Sequence, residues 1–193
     1  MSPRTSEQYQ HIRDQSRKLI KNSALVLFSK NGFSSTKVDD IAKHAKVSKG
    51  LIYNYFSSKD DLLKEILADA TLRGQKVIEK IERLDLSARE RLKYLVEYIF
   101  DMMQEDFEYW KLVNALSYQE DVLELLSHTI KEYLEKMISI KTQLFKEIGS
   151  PDPLIDTYSL SALLDGVFVQ YIHLQDNYPM TQMKKHILET YLK

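Results

Sequence analysis

Apolar residues recur at three- and four-residue steps along almost the whole chain, and no stretch alternates apolar with polar for long. A helix turns once every 3.6 residues, so this spacing lines one helical face, whereas a strand needs a period of two. The pattern predicts an all-α fold: a three-helix head carrying a helix-turn-helix, then a larger helical-bundle C-terminal domain, about nine helices altogether. Four prolines and five glycines among 193 residues suit long helices with short connections.

The first helix is expected from about Ser6 to Lys30, turning Ile20, Ala24, Leu27 and Phe28 inward. Asn31-Gly32 ends it, because glycine takes a left-handed cap at no steric cost. Thr36 is placed as the cap of a second helix, Lys37 to Ala45, with Asp39 as its acidic capping-box partner. Ser48 caps a third, Lys49 to Phe56. Ser58 with Asp61 caps a fourth, running through Leu62, Leu63, Ile66 and Leu67 towards Ile81. Beyond Leu84 the helices lengthen. Ser87 and Glu90 form a capping box opening a helix to about Glu105, and another covers Phe107 to about Gln119. A longer one carries Leu123, Leu126, Ile130, Tyr133, Met137, Ile140 and Leu144. Gly149-Ser-Pro-Asp-Pro153 is the clearest break, with Pro151 suited to the first turn of the next helix. That helix stops near Asn177-Tyr-Pro179, and a short final one holds Met183, Ile187, Leu188 and Tyr191.

The formal net charge of −1 conceals an asymmetry. Residues 1–60 hold eleven Lys/Arg against five Asp/Glu, and residues 61–193 hold sixteen against twenty-three. A basic module on an acidic body directs polyanion contacts to one end, although surface charge also fluctuates along any chain. The expected division is a basic head, 1–60, and a longer helical body, 61–193.

Val38 to Phe56 has the layout of a helix-turn-helix. Ile41, Ala42 and Ala45 are small or apolar and allow close helix approach. Val47 plugs a three- to four-residue turn, and Leu51, Ile52 and Phe56 pack the second helix back on the core. The opposite face presents Lys49, Gly50, Tyr53 and Asn54, with Tyr55 beside it. Lys and Tyr donate to phosphate oxygens, Gly admits close backbone approach, and Asn can read adenine in the major groove. The free amides at that helix's N-terminus also favour a phosphate.

Gly32-Phe33, Thr36, Ile41-Ala42, Ala45, Val47-Ser48-Lys49-Gly50, Ile52-Tyr53-Asn54-Tyr55-Phe56, Lys59 and Leu62 together resemble the signature of the tetracycline-repressor (TetR) family of transcriptional regulators. The resemblance covers about residues 15–65. It implies a homodimer whose two recognition helices enter successive major grooves of a pseudo-palindromic operator in double-stranded DNA. In relatives, positions matching Lys49, Gly50, Tyr53, Asn54, Tyr55 and Lys59 touch DNA; Thr36, Lys37 and Ser48 are expected beside phosphates. Tyr53 and Tyr55 also fit a packing role, and Lys59 a solvated place in the first turn of its helix. Arg13, Arg17 and Lys21 fall on one helical face at four-residue steps, either adding phosphate attraction or forming a solvated stripe.

Residues 94–118 hold seven of the twenty aromatics, with Met102 and Met103 among them. Tyr94, Tyr98, Met102, Phe107, Trp110 and Tyr118 suit an adaptable, mostly apolar cavity for a small-molecule effector; plain core is the alternative. The resemblance places dimerisation on the last two helices, where Leu160, Leu163, Leu164, Val167, Phe168, Tyr171 and Ile187 supply an apolar face. It also implies repression relieved by ligand.

Other functions find little support. No phosphate-cradling glycine loop, nucleophile elbow or metal-ligand spacing is present, so neither an enzyme nor a cofactor is expected. His128 and His173 stand alone, and no metal is expected. The absence of cysteine excludes disulfides and thiolate chemistry. No apolar run reaches a membrane span, and the polar opening segment is no secretory signal, so the expected location is the cytoplasm.

Overall fold

The computed structural model describes residues 6–83 and 85–192; residues 1–5 of the polar opening segment lie outside the described residues. Among these the chain forms nine α-helices and no strand: α1 (Ser6–Asn31), α2 (Val38–Ala45), α3 (Lys49–Tyr55), α4 (Lys59–Arg83), α5 (Ala88–Glu105), α6 (Phe107–Ser117), α7 (Glu120–Ile148), α8 (Pro153–Leu174) and α9 (Met180–Tyr191). A short 3-10 turn, Gln175–Asn177, separates the last two. No described helix is long and apolar enough to cross a membrane.

Helix ends follow the chemistry of their caps, with two departures from expectation. Gly32 terminates α1 with φ +89°, its amide bonding the Phe28 carbonyl at 3.0 Å. Ser87 and Glu90 exchange amide-to-side-chain bonds of 2.9 and 3.3 Å, as a capping box requires. At α2, however, the cap is Lys37, and its amide reaches Asp40 rather than Asp39 at 3.4 Å. Thr36 is buried, with its hydroxyl donating to the Gly32 carbonyl at 2.8 Å. At α8 the cap is Asp152, which accepts from the Ile155 amide at 3.3 Å, so Pro153 and not Pro151 takes the first helical position. A proline there sacrifices no helical hydrogen bond.

The chain packs as two compact units. Among the described residues, one comprises residues 6–71 with 112–127, the other residues 72–111 with 128–192. The unit holding the helix-turn-helix is thus larger than residues 1–60: it includes the start of α4, the end of α6 and the start of α7. Its core is built from Ile20, Phe28, Ile41, Ile52, Phe56 and Leu62, with Leu116 and Val122 also fully buried. The second unit has a continuous core running through Ile78, Leu92, Phe100, Phe145, Leu160 and Ile187. Burying side chains of this size stabilises by about 1.5–3 kcal/mol each before conformational entropy is charged.

Candidate nucleic-acid interface

The turn between α2 and α3 is compact because its backbone is fully committed. Lys46 adopts a left-handed conformation (φ 55°), and the following amide, Val47, bonds the Ala42 carbonyl at 3.0 Å. Ser48 then accepts from the Leu51 amide at 3.1 Å and opens α3. Ile52 and Phe56 are buried, which fixes the roll of α3 about its axis. That roll leaves Lys49, Gly50, Tyr53 and Asn54 exposed, with Tyr53 showing 49% of its surface. A Cβ added at Gly50 would meet nothing within 4 Å, so the helix start is open to an external partner. Lys37 and Ser48 are exposed at the adjoining helix starts.

Three expected contact residues are used differently. Thr36 points inward, as described above, and holds the turn before α2. Lys59 donates to the carbonyls of Phe33, Thr36 and Ser34 at 2.7, 3.1 and 3.2 Å, and its ammonium lies 4.4 Å from the centre of the Phe33 ring. All three ammonium protons are thereby committed within the protein. Tyr55 is half-buried, edge-on to Phe56, with the Arg13 guanidinium 5.5 Å from its ring centre. Packing is therefore its visible role, the alternative that the sequence left open.

Charge at this surface is partly self-neutralised. Lys49 pairs with Asp39 at 3.0 Å, and that carboxylate raises the Lys49 pKa through their hydrogen bond and charge attraction. Of the α1 stripe, Arg17 forms an ion pair with Glu65 and Lys21 pairs with Asp69 at 2.5 Å. These two residues brace α1 against α4 instead of forming a solvated or phosphate-facing stripe, leaving Arg13 for the surface.

The sequence carried no sign of Gln119 and Asp121, at the α6–α7 junction, as partners of this region. Gln119 accepts from the Phe33 amide and donates to the Phe28 carbonyl, both at 2.8 Å. Asp121 accepts from the Ser34 amide at 2.9 Å and from the Ser34 hydroxyl. These hydrogen bonds hold its carboxyl below the usual range, the hydroxyl contributing most. The partners are more than eighty residues apart, beyond any local pattern.

In the second unit, Phe107 meets Tyr171 edge-on at 5.0 Å, and Arg73 lies 4.2 Å from the Tyr109 ring centre and 5.8 Å from that of Trp110. Arg73 is also paired with Asp106 at 2.5 Å. Trp110 has a buried indole N–H with no hydrogen-bond partner among the described residues. Tyr94, which carries the Lys80 ammonium 5.0 Å from its ring centre, Tyr98 and Met102 are half-buried. Tyr118 departs from the expected set: it is 69% exposed and belongs to the other unit. The apolar side chains assigned to dimerisation divide between fully and partly buried places. Leu160, Leu164, Val167 and Ile187 are buried in their own chain, and Leu163, Phe168 and Tyr171 pack against the same core. The exposed face of α8 carries Leu154, Ile155, Tyr158 and Val169. Among the described residues no group of His, Asp and Glu is arranged to hold a metal ion.

The family model for bacterial regulatory proteins of the tetR family matches residues 20–66. The chain is 31% identical over 160 residues to the uncharacterized HTH-type transcriptional regulator YuxN of Bacillus subtilis, covering 80% of this chain and 53% of that protein. It is 29% identical over 133 residues to the fatty acid metabolism regulator protein of the same organism, covering 64% and 65%. The chain thus spans about half and just under two thirds of the lengths of these relatives. The crystal structure of NalD, the secondary repressor of the MexAB-OprM multidrug efflux pump in Pseudomonas aeruginosa, superposes with a TM-score of 0.74. That comparison covers 93% of this chain and 96% of NalD at 22% identity, a likeness of fold. Residues 20–66 thus carry the helix-turn-helix segment described by the tetR family of bacterial regulatory proteins, on an all-α fold like that of NalD.

Proposed function

We propose that the chain acts as a homodimeric transcriptional repressor, released from a pseudo-palindromic operator when a small, mostly apolar ligand binds in its body. The observation that carries this reading is the two-sided chemistry of α3. Ile52 and the adjoining Phe56 are buried, while Lys49, Gly50, Tyr53 and Asn54 face outward with nothing packed over Gly50. Such a helix can enter a major groove with phosphate donors at its start and an amide positioned for a base edge. Two copies related by a two-fold axis would read half-sites about 34–36 Å apart.

Ligand release is supported by residue chemistry and by the relatives. The Trp110 N–H is a buried donor lacking an acceptor among the described residues, and its ring lies edge-on to that of Tyr109 at 5.1 Å. Arg73 and Lys111 are already matched by Asp106 and Glu108, which favours a neutral or weakly polar guest over a strongly anionic one. A curated relative is named for fatty acid metabolism, so fatty acids of graded length belong in the first screen, beside neutral aromatic compounds.

The test has two arms. A duplex selected from a random-sequence pool by the wild-type protein should lose gel-shift binding when Tyr53→Ala and Lys49→Ala are combined; unchanged, salt-sensitive binding removes α3 from the interface. In thermal-shift titrations a ligand should raise the melting temperature of the wild type and not of Trp110→Ala. An identical response in that variant places the guest elsewhere.

A further inference from the structure

Within the second unit, the end of α4, the start of α5 and the last turns of α7 border a cavity of about 250 Å3. Ile78 and Ile81 of α4, with Ile140 and Leu144 of α7, give it an apolar lining. Ile78, Ile81 and Leu144 are buried, and Ile140 is half-buried. Arg91 of α5 lines the same cavity, beside Gln143, Glu147 and Glu82. Neither Trp110 nor Arg73 borders it, so it is separate from the region around Trp110.

Arg91 carries an unmet donor here. Its Nη2 donates to one oxygen of Glu147. The other Glu147 oxygen accepts from the Gln143 side chain at 3.0 Å. The side-by-side pairing that would also engage Nε is not made, and Nε is buried with no hydrogen-bond partner among the described residues. A guanidinium stays protonated, so it cannot shed the proton. Leaving a buried donor without an acceptor is costly. A guest that brings an acceptor relieves that cost.

We propose that this cavity binds an uncharged, mostly apolar molecule with one carbonyl oxygen, which accepts from Arg91 Nε while its hydrocarbon part rests on Ile78, Ile81, Ile140 and Leu144. Charge decides against an acid. Glu147 already matches the charge of Arg91, and Glu82 adds a second carboxylate to the lining. Glu147 stays ionised through the neutral range, since hydrogen bonding from Gln143, foremost, and the Arg91 charge hold its carboxyl below the usual range. A carboxylate guest meets net repulsion, whereas a ketone, ester or amide oxygen meets the donor. Size agrees with this class. An apolar cavity of about 150 Å3 holds benzene, so about 250 Å3 suits a guest of about ten carbons. The apolar walls supply buried area and the single donor fixes orientation. The proposal depends neither on the DNA-binding reading nor on a guest beside Trp110.

The experiment follows isoleucine methyl signals of the full-length protein by NMR, with menthone as the neutral ketone and octanoate as the acid. Menthone moves the Ile78, Ile81 and Ile140 signals, and octanoate leaves them in place. Arg91→Met keeps an apolar stem and removes the donor. Its affinity for menthone falls about tenfold or more, the effect of losing a hydrogen bond to a charged group. Trp110→Ala shows the wild-type response at the same three isoleucines. Four results overturn the proposal: menthone that leaves the three signals unmoved, octanoate that moves them as readily, an Arg91→Met protein with wild-type affinity, or a Trp110→Ala protein that has lost the response. If circular dichroism finds Arg91→Met unfolded, Arg91→Lys replaces it. That variant retains a cation for Glu147 but has no Nε donor, and the same loss of affinity is expected.

Discussion

The Lys59 ammonium lies 2.7 Å from the Phe33 carbonyl oxygen and 4.4 Å from the centre of the Phe33 ring, so a basic residue at the edge of the head faces inward. Its charge is spent on three main-chain carbonyls. Replacing Lys59 with Met keeps the stem and leaves those carbonyls without their donor. The expected loss is about 1–3 kcal/mol of stability, the cost of unpairing groups bonded to a charge. Operator affinity should fall with it, while the slope of log affinity against log salt stays unchanged. A phosphate contact would behave otherwise, since each one removed lowers that slope by about 0.9. Chemical denaturation and salt titrations of the same variant separate the two roles.

Lys49 predicts the opposite signature. It is exposed and pairs with Asp39, another exposed side chain, and such pairs add little stability. Lys49→Ala should leave the melting temperature nearly unchanged and reduce the salt slope by about one. Asp39→Asn removes both the competitor for Lys49 and a carboxylate that repels phosphate. Tighter DNA binding is expected, with the gain shrinking as salt rises. Weaker binding by Asp39→Asn would show that Asp39 positions Lys49 instead of restraining it.

The contrast between these two lysines shows what was legible in the residues alone. Helical period, glycine stops and serine caps are local, and they placed nearly every helix. The outward face of α3 was legible too, because Ile52 and Phe56 mark the buried side and thereby assign Lys49, Gly50, Tyr53 and Asn54 to the other. Lys59 and Thr36 were misplaced because their partners are carbonyls, which every residue carries and no side-chain pattern announces. Gln119 and Asp121 were invisible because their partners are mainly main-chain amides and a carbonyl, compounded by separations of 86 and 87 residues from Phe33 and Ser34. On α8 the period indicated apolar positions on more than one side but not which side faces the chain's own core. Leu160 and Ile155 are equally apolar letters with opposite fates.

Gly74 on α4 makes room for the Tyr133 hydroxyl from α7. A Cβ at Gly74 would overlap that oxygen and come within 3.4 Å of the ring carbon bearing it. Alanine in a helix interior gains about 1 kcal/mol over glycine, but displacing a packed phenol costs about 1–3 kcal/mol. Burial has already pushed the Tyr133 pKa up. Gly74→Ala is therefore expected to be neutral to destabilising. Combined with Tyr133→Phe, which deletes the overlapping oxygen, it should become stabilising by up to about 1 kcal/mol. A double-mutant cycle by urea denaturation measures this, and additive effects would show that the two residues do not compete for the same space.

The Asp121 carboxyl is held below its ordinary range by the Ser34 hydroxyl and amide. For a carboxyl whose pKa is depressed by folding, the unfolded chain binds the proton more readily. Its contribution is therefore complete above the unfolded value, about 3.9, and is lost as pH falls through the folded one. The grip on the α1–α2 turn should thus be constant across the neutral range. The melting-temperature gap between wild type and Asp121→Asn should be level from neutral pH to about 5 and should narrow at lower pH. A gap that does not narrow at all as pH falls below the unfolded value of about 3.9 would assign the effect of the substitution to shape instead of charge.

The exposed face of α8 predicts where two copies would meet. Ile155 and Tyr158 expose 56% and 52% of their surface, and Leu154 and Val169 extend the same apolar exposure along the helix. Leu160, on the other side, is completely buried within its own chain. The two faces should answer differently to substitution. Leu160→Ala opens a cavity and is expected to cost about 2–5 kcal/mol of stability, without an association defect beyond that loss. Tyr158→Glu leaves the monomer core intact but places a carboxylate where an apolar contact between copies would exclude water. Burying that charge without a partner is costly enough to oppose association. Sedimentation should find Tyr158→Glu monomeric with undiminished helical content, and its affinity for the full operator should drop towards that for a half-site. A Tyr158→Glu protein that sediments as the wild type does would move the association surface off this face of α8.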